Sequence, residues 1–155
     1  METKVCCFIG PRKIDESENI VEALSNTIEK LIVNEKIGIF LFGSQSSFNK
    51  LCYDLLTQYK ETYPYIKRVY VRAEYPYISD SYKRLLLKEY EDTYFPERII
   101  GAGKASYLER NEEMIKRSDI CVLYYRECGV PKKWTSGTKS ALEYAIKKKK
   151  RIIMI

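Results

Sequence analysis

The sequence predicts an α/β fold of three layers, with helices on both faces of a mostly parallel sheet. Short continuous apolar runs, such as Val5 to Ile9, Ile37 to Phe42 and Ile120 to Tyr124, have the character of strands buried on both faces. Between them lie longer stretches with apolar residues at helical spacing. A length of 155 residues with 45% hydrophobic content suits one compact domain, 1–155, with a real core and leaves no room for a second.

The elements follow in order. Val5 to Ile9 predicts a strand that ends at Gly10-Pro11-Arg12, and Glu18 to Glu35 a helix with Ile20, Leu24, Ile28, Leu31 and Ile32 on one face. Ile37 to Phe42 is the second strand, ending at Gly43-Ser44-Gln45-Ser46-Ser47, and Phe48 to Tyr59 is a helix carrying Leu51, Leu55 and Leu56. Ile66 to Val71 is the third strand. Beyond it the alternation falters in a stretch rich in aromatics, Tyr75, Tyr77, Tyr82, Tyr90, Tyr94 and Phe95, which are expected mostly to cover one end of the sheet, with a tyrosine or two lining a base pocket as the alternative. A short strand is expected near Ile99-Ile100, a helix over Ser106 to Arg117, a strand over Ile120 to Tyr124, a helix over Ser136 to Lys149 and a last strand over Ile152 to Ile155.

Composition narrows the chemistry. The 27 basic and 21 acidic residues give a formal charge of +6, which suits phosphate-bearing ligands and is compatible with nucleic acid. The densest run, Lys147 to Arg151, falls at a predicted helix end, where cations complement the dipole, and has no interleaved aromatics for base stacking. Nucleic acid is therefore compatible but not favoured. Cys6, Cys7, Cys52, Cys121 and Cys128 show no CxxC spacing, and three of them lie in apolar strand segments, so buried thiols are expected rather than a metal site or disulfides. Neither a membrane span nor a signal peptide is evident, which makes a cytoplasmic location the expectation.

In sheets of this kind ligands collect at the carboxyl ends of strands. Three loops fall there: Gly10-Pro11-Arg12-Lys13, Gly43-Ser44-Gln45-Ser46-Ser47, and Tyr125 to Ser136 with Gly137-Thr138 at its end. Glycines permit close backbone approach to a ligand, and hydroxyls add donors. Ser136-Gly137-Thr138 ahead of a helix would aim backbone N–H groups at an anion, with Lys139 in the first turn as a phosphate contact. Trp134, just before Ser136, either stacks on a base or anchors the loop. Asp119 opens a strand at the opposite edge, where it is expected to cap or pair locally.

Phe8-Ile9-Gly10-Pro11-Arg12, Phe42-Gly43-Ser44, Tyr107 through Asn111 with Met114, Ser118-Asp119, and Ser136-Gly137-Thr138 with Tyr144-Ala145 together resemble the YpsA-like branch of the SLOG superfamily over nearly the whole chain. That resemblance implies a Rossmann-like domain related to lonely-guy phosphoribohydrolases and to Smf/DprA proteins. It also implies a nucleotide or nucleotide-derivative ligand such as ADP-ribose or an NAD-like molecule, and no bound cofactor. The ligand-binding residues so implied are Gly10, Arg12, Gly43, Ser44, Arg110, Asn111, Ser136, Gly137 and Thr138, with Lys139 from the loop argument. A homodimer follows by analogy only. The branch usually carries Gly-His-Arg where this chain has Gly10-Pro11-Arg12, and a second glycine where it has Ser44; the chain contains no histidine.

Lonely-guy enzymes are similar in a Glu-Arg-Lys segment and a Pro-Gly-Gly-x-Gly-Thr-x-x-Glu segment, whose arginine and final glutamate are implicated in glycosidic cleavage. Arg110 matches the arginine, but Ala141 stands at the glutamate's place and Glu143 lies two residues on. On a helix that is a rotation of about 200° and a rise of about 3 Å, so Glu143 points away. The expectation is therefore a sensor or regulatory binding domain. A nucleoside-monophosphate N-glycosidase, with Arg110 and Glu109 as catalytic candidates, is the alternative, and a DNA-associated protein of Smf/DprA kinship is the second.

Overall fold

The computed structural model describes residues 2–14, 19–73, 79–97, 105–125 and 132–155, with the backbone alone for 132–136. Eleven elements alternate: β1 (Lys4–Ile9), α1 (Ile20–Val33), β2 (Ile37–Phe42), α2 (Ser47–Thr62), β3 (Lys67–Val71), α3 (Asp80–Glu89), β4 (Asp92–Tyr94), α4 (Ser106–Arg117), β5 (Ile120–Leu123), α5 (Lys132–Lys147) and β6 (Arg151–Met154). The six strands form one sheet in the order β4-β3-β2-β1-β5-β6. Every neighbouring pair is parallel, with Cys6 opposite both Phe40 and Ile120 across the central strand.

The α/β three-layer architecture is as predicted. Strand alternation divides the core: Cys6, Phe8, Phe40, Phe42, Tyr70, Ile120 and Val122 pack on one face with Leu24, Ile28, Phe48, Leu55 and Leu86 of α1, α2 and α3. Val5, Cys7, Ile9, Leu41, Val69, Val71, Cys121 and Leu123 pack on the other with Met114, Ile115, Ala141 and Ala145 of α4 and α5. Right-handed crossovers require this split, because the chain runs outward from β1 to β4 and then returns past β1 to β5. The reversal beside β1 places α1 and α5 on opposite faces.

Several boundaries differ from expectation. The aromatic stretch holds α3 and β4, neither of which was predicted: α3 buries only Leu86 and so has almost no apolar stripe, while β4 has three residues. Tyr90 does cover the sheet, 7% exposed among Phe42, Tyr53 and Tyr70. The strand expected at Ile99-Ile100 lies outside the described residues, as do Tyr75, Tyr77 and Cys128. Helix α5 begins at Lys132, four residues ahead of Ser136. Gly137 suggested a boundary, whereas Pro131 directly before Lys132 is the better start signal, since proline suits a first helical turn.

Cys6, Cys7, Cys52 and Cys121 are free and buried, as the apolar strand context implied for Cys6, Cys7 and Cys121. Burial pushes the Cys6 and Cys52 thiols up, which keeps them neutral and unreactive. Asp119 does pair locally: its Oδ2 accepts from the Val5 N–H at 2.8 Å, and its own N–H donates to the Val5 carbonyl. Among the described residues no helix is long and apolar enough to cross a membrane.

Two features make testable statements about stability. Arg68, 8% exposed, donates from Nε and a terminal nitrogen to the two oxygens of Glu91 at 3.1 and 2.8 Å, joining β3 to the start of β4. Burial raises the Glu91 pKa, but these bonds, the Arg68 N–H and the charges of Arg68 and Lys60 outweigh it and hold the carboxyl below its ordinary value. A depressed folded pKa contributes stability above the unfolded value, and that contribution is lost as pH falls through the folded one. Glu91→Gln should therefore lower stability at neutral pH and show a flatter loss of stability below about pH 4 in acid-titrated denaturant melts.

Lys36 and Lys149, with φ of 58° and 57°, are the only non-glycine residues of positive φ among those described. At the end of α5 the Lys149 N–H donates to the Ile146 carbonyl and the Lys150 N–H to the Ala145 carbonyl, a Schellman turn whose left-handed position favours glycine. Lys149→Gly is expected to stabilise the protein by about 1 kcal/mol, read as a higher melting temperature.

Candidate functional site

A cleft of about 690 Å³ opens at the carboxyl ends of β1, β2 and β3, beside the reversal of strand order. This is where ligands collect in open α/β sheets, and the volume suits a small organic ligand. Gly10, Pro11 and Arg12 line it after β1, Gly43 to Ser46 after β2, and Tyr70 and Tyr82 on the far side. Helix α4 contributes Tyr107, Arg110, Asn111 and Met114, and α5 contributes Gly137 and Thr138.

Most of the sequence-derived residues therefore meet in one place: Gly10, Arg12, Gly43, Ser44, Arg110, Asn111, Gly137 and Thr138. Lys139 is exposed and is not among the lining residues, and the side chains of Ser136 and Trp134 lie outside the described residues. All three sit within α5: Trp134 in its first turn, Ser136 and Lys139 beyond it. Gly137 and Thr138 fall in the second turn, where backbone N–H groups bond to carbonyls four residues back. The expected anion nest at Ser136-Gly137-Thr138 is thus replaced by a side-chain contribution from Thr138, only 3% exposed.

The glycines also have a different reason. A Cβ on Gly10 would strike the Phe48 ring, and one on Gly43 would sit 2.6 Å from both Arg110 Cδ and Met114 Sδ. The missing side chains make room for protein rather than for ligand. In particular, Gly43 lets α4 press Arg110 and Met114 against the end of β2.

Arg110 is 5% exposed. Its Nε donates to Asn111 Oδ1 at 2.9 Å, and its guanidinium lies 5.6 Å from the Tyr107 ring centre. Asn111 therefore orients the arginine, a role beyond the ribose or phosphate contact expected of it. Arg12 is exposed at the rim. The cleft holds one guanidinium built into its wall and one at its mouth.

Sequence reasoning missed Asn49, the residue that ties the loops together. Buried at 3% exposure in the first turn of α2, it accepts at Oδ1 from the N–H groups of Gly43 and Ser44, both at 3.2 Å, and donates from Nδ2 to the Phe8 carbonyl at 2.9 Å. Two donors and one acceptor on the main chain fix which way the amide points. Ser44, expected to offer a backbone donor to a ligand, spends that donor on Asn49. Ser46 caps α2 by accepting from the Asn49 N–H at 3.1 Å, and the Ser47 N–H donates to the Arg12 carbonyl. The available signal was Ser46-x-x-Asn49 ahead of a helix, with an amide set between Phe48 and Cys52.

Among the described residues that line the cleft there is no carboxylate. Glu109 is half-buried on α4 but does not line it, and Glu143 is exposed on α5, as its spacing predicted. Ala141, at the position of the lonely-guy glutamate, is 2% exposed in the layer between α5 and the sheet. Among the described residues no three His, Cys, Asp or Glu side chains gather as a metal site would require. No family model matches the chain, and no curated protein does.

Proposed function

We propose that this chain is a small nucleotide-binding domain of SLOG type, a sensor or regulatory module that holds a nucleotide or a derivative such as ADP-ribose or an NAD-like molecule. The observation that carries this reading is the pairing of Arg110 with Arg12 on one cleft at the strand ends, with hydroxyls of Ser44, Ser46 and Thr138 around them. A guanidinium suits phosphate because its planar fork gives two parallel charge-assisted hydrogen bonds. Arg110 is held by Asn111 before any ligand arrives, which reduces the ordering cost of binding. Tyr82 and Tyr107 supply aromatic surface for a base.

Hydrolysis of a glycosidic bond needs a carboxylate within hydrogen-bonding reach of the sugar or the leaving base. Glu143 is exposed and Glu109 stands off the cleft wall, so the geometry supports holding over cleaving. Incubation with nucleoside monophosphates followed by chromatography should leave the nucleotide intact. Release of free base, abolished by Arg110→Ala, would assign the N-glycosidase reading instead.

A further inference from the structure

The opposite edge of the sheet carries a second set of cations that the cleft does not use. Because all strands are parallel, their amino ends share one edge, and residues far apart in sequence meet there. In strand order they are Tyr65 and Lys67 at β3, Lys36 at β2, Lys4 at β1, and Lys149 to Arg151 at β6. Four strand spacings separate β3 from β6, about 19 Å. We propose that this edge is a binding surface for single-stranded nucleic acid, contacted along its phosphates and stacked at Tyr65.

Charge complementarity to a helix end explains lysines in the last turn, such as Lys30, Lys60 and Lys147. It accounts for a cation near a helix end, but not for the left-handed backbone at Lys36 and Lys149. Both follow helix ends in the left-handed backbone region, where glycine is free of strain, and both bring an exposed cation to the same edge. Strain held at two matching positions points to a use for the side chains.

Two acidic residues of this edge are engaged. Glu35 pairs with Arg151 at 2.8 Å, and Asp119 accepts from the Val5 N–H. The lysine run has no interleaved aromatics in sequence, but the same edge carries one at its other end. Tyr65 is 61% exposed in the turn before β3, steadied by an edge contact with Tyr63 at 6.3 Å between ring centres. A cationic row beside an open ring is the arrangement that binds single strands with little sequence preference.

The test is fluorescence anisotropy with a short labelled oligodeoxythymidine across a salt series, using the intact chain. Wild type should bind at low salt and release steeply as salt rises. Lys36→Gly with Lys149→Gly should melt no lower than wild type, yet bind more weakly and reduce the salt slope by about 1.4, from roughly 0.7 per phosphate contact. Tyr65→Ala should weaken binding about fivefold or more with the slope unchanged. Absence of binding at low salt, or an unchanged slope in the double glycine variant, overturns the proposal. So does a preference for anionic phosphatidylserine vesicles over the oligonucleotide, which would assign the edge to a lipid surface.

Discussion

Asn49→Ala is expected to destabilise the protein by about 3 kcal/mol and to disorganise the cleft at the same time. The substitution strands the N–H groups of Gly43 and Ser44 and the carbonyl of Phe8, all now satisfied by one amide. A buried backbone group left without a partner costs about 1–3 kcal/mol, and not all three are fully shielded from water. The loss would appear as a lower denaturant midpoint with the slope retained. Asn49→Asp separates the two roles. It keeps an acceptor for Gly43 and Ser44 but loses the donor to Phe8, and it sets a negative charge beside the cleft. Its stability should fall between wild type and alanine, while affinity for an anionic ligand should drop as far as in the alanine variant. Equal stability of Asn49→Ala and wild type would mean that the loops are held by something else.

Arg110→Ala is expected to lower affinity for a phosphorylated ligand by about thirtyfold or more, since removing one partner of a buried charge-assisted contact costs about 2–5 kcal/mol. Arg110→Lys should recover part of this through charge alone, because an ammonium has no fork to match a phosphate. Gly43→Ala offers an independent route to the same residue. Its Cβ would sit 2.6 Å from Arg110 Cδ and 2.7 Å from Nε, so the arginine must move although its charge is untouched. A loss of affinity in Gly43→Ala approaching that of Arg110→Ala would show that position matters as well as charge. Retained affinity in both variants would remove Arg110 from the binding account.

The contrast between the two arginines also predicts how the site behaves in salt. Arg12 is exposed and its attraction for an anion is screened, whereas Arg110 lies in the wall, where screening is weak. Arg12 thus favours encounter, and Arg110 favours retention.

The sheet was legible in the sequence because its strands are buried on both faces and read as unbroken apolar runs. Helix α4 was read at its actual limits, Ser106 to Arg117, since its apolar residues recur at helical spacing and Ser118-Asp119 ends it. The elements around β4 were not legible. Only Leu86 of α3 is buried, and three strand residues carry no periodicity. Local propensity gave nothing to read where tertiary packing decided the outcome.

The site divides in the same way. Arg12, Arg110 and the loops at the strand ends could be found because residue type and topological position agree there. Asn49 could not, because its work consists of bonds to Phe8 and Gly43, which lie 41 and 6 residues away. The reading of Ser136-Gly137-Thr138 as a helix start gave way because glycine inside a helix and glycine before one look alike in sequence. In the proposed site the groups offered to an anion are side chains, Arg110 and Arg12, rather than the backbone N–H groups expected at Ser136-Gly137-Thr138.

Isothermal titration calorimetry of the intact chain with AMP, ADP-ribose and NAD, each repeated on Arg110→Ala, tests the nucleotide-binding account most directly. Saturable binding of at least one of these by wild type, weakened about thirtyfold or more in the variant, is the predicted result. No heat with any of the three, or equal affinity in the variant, would contradict it.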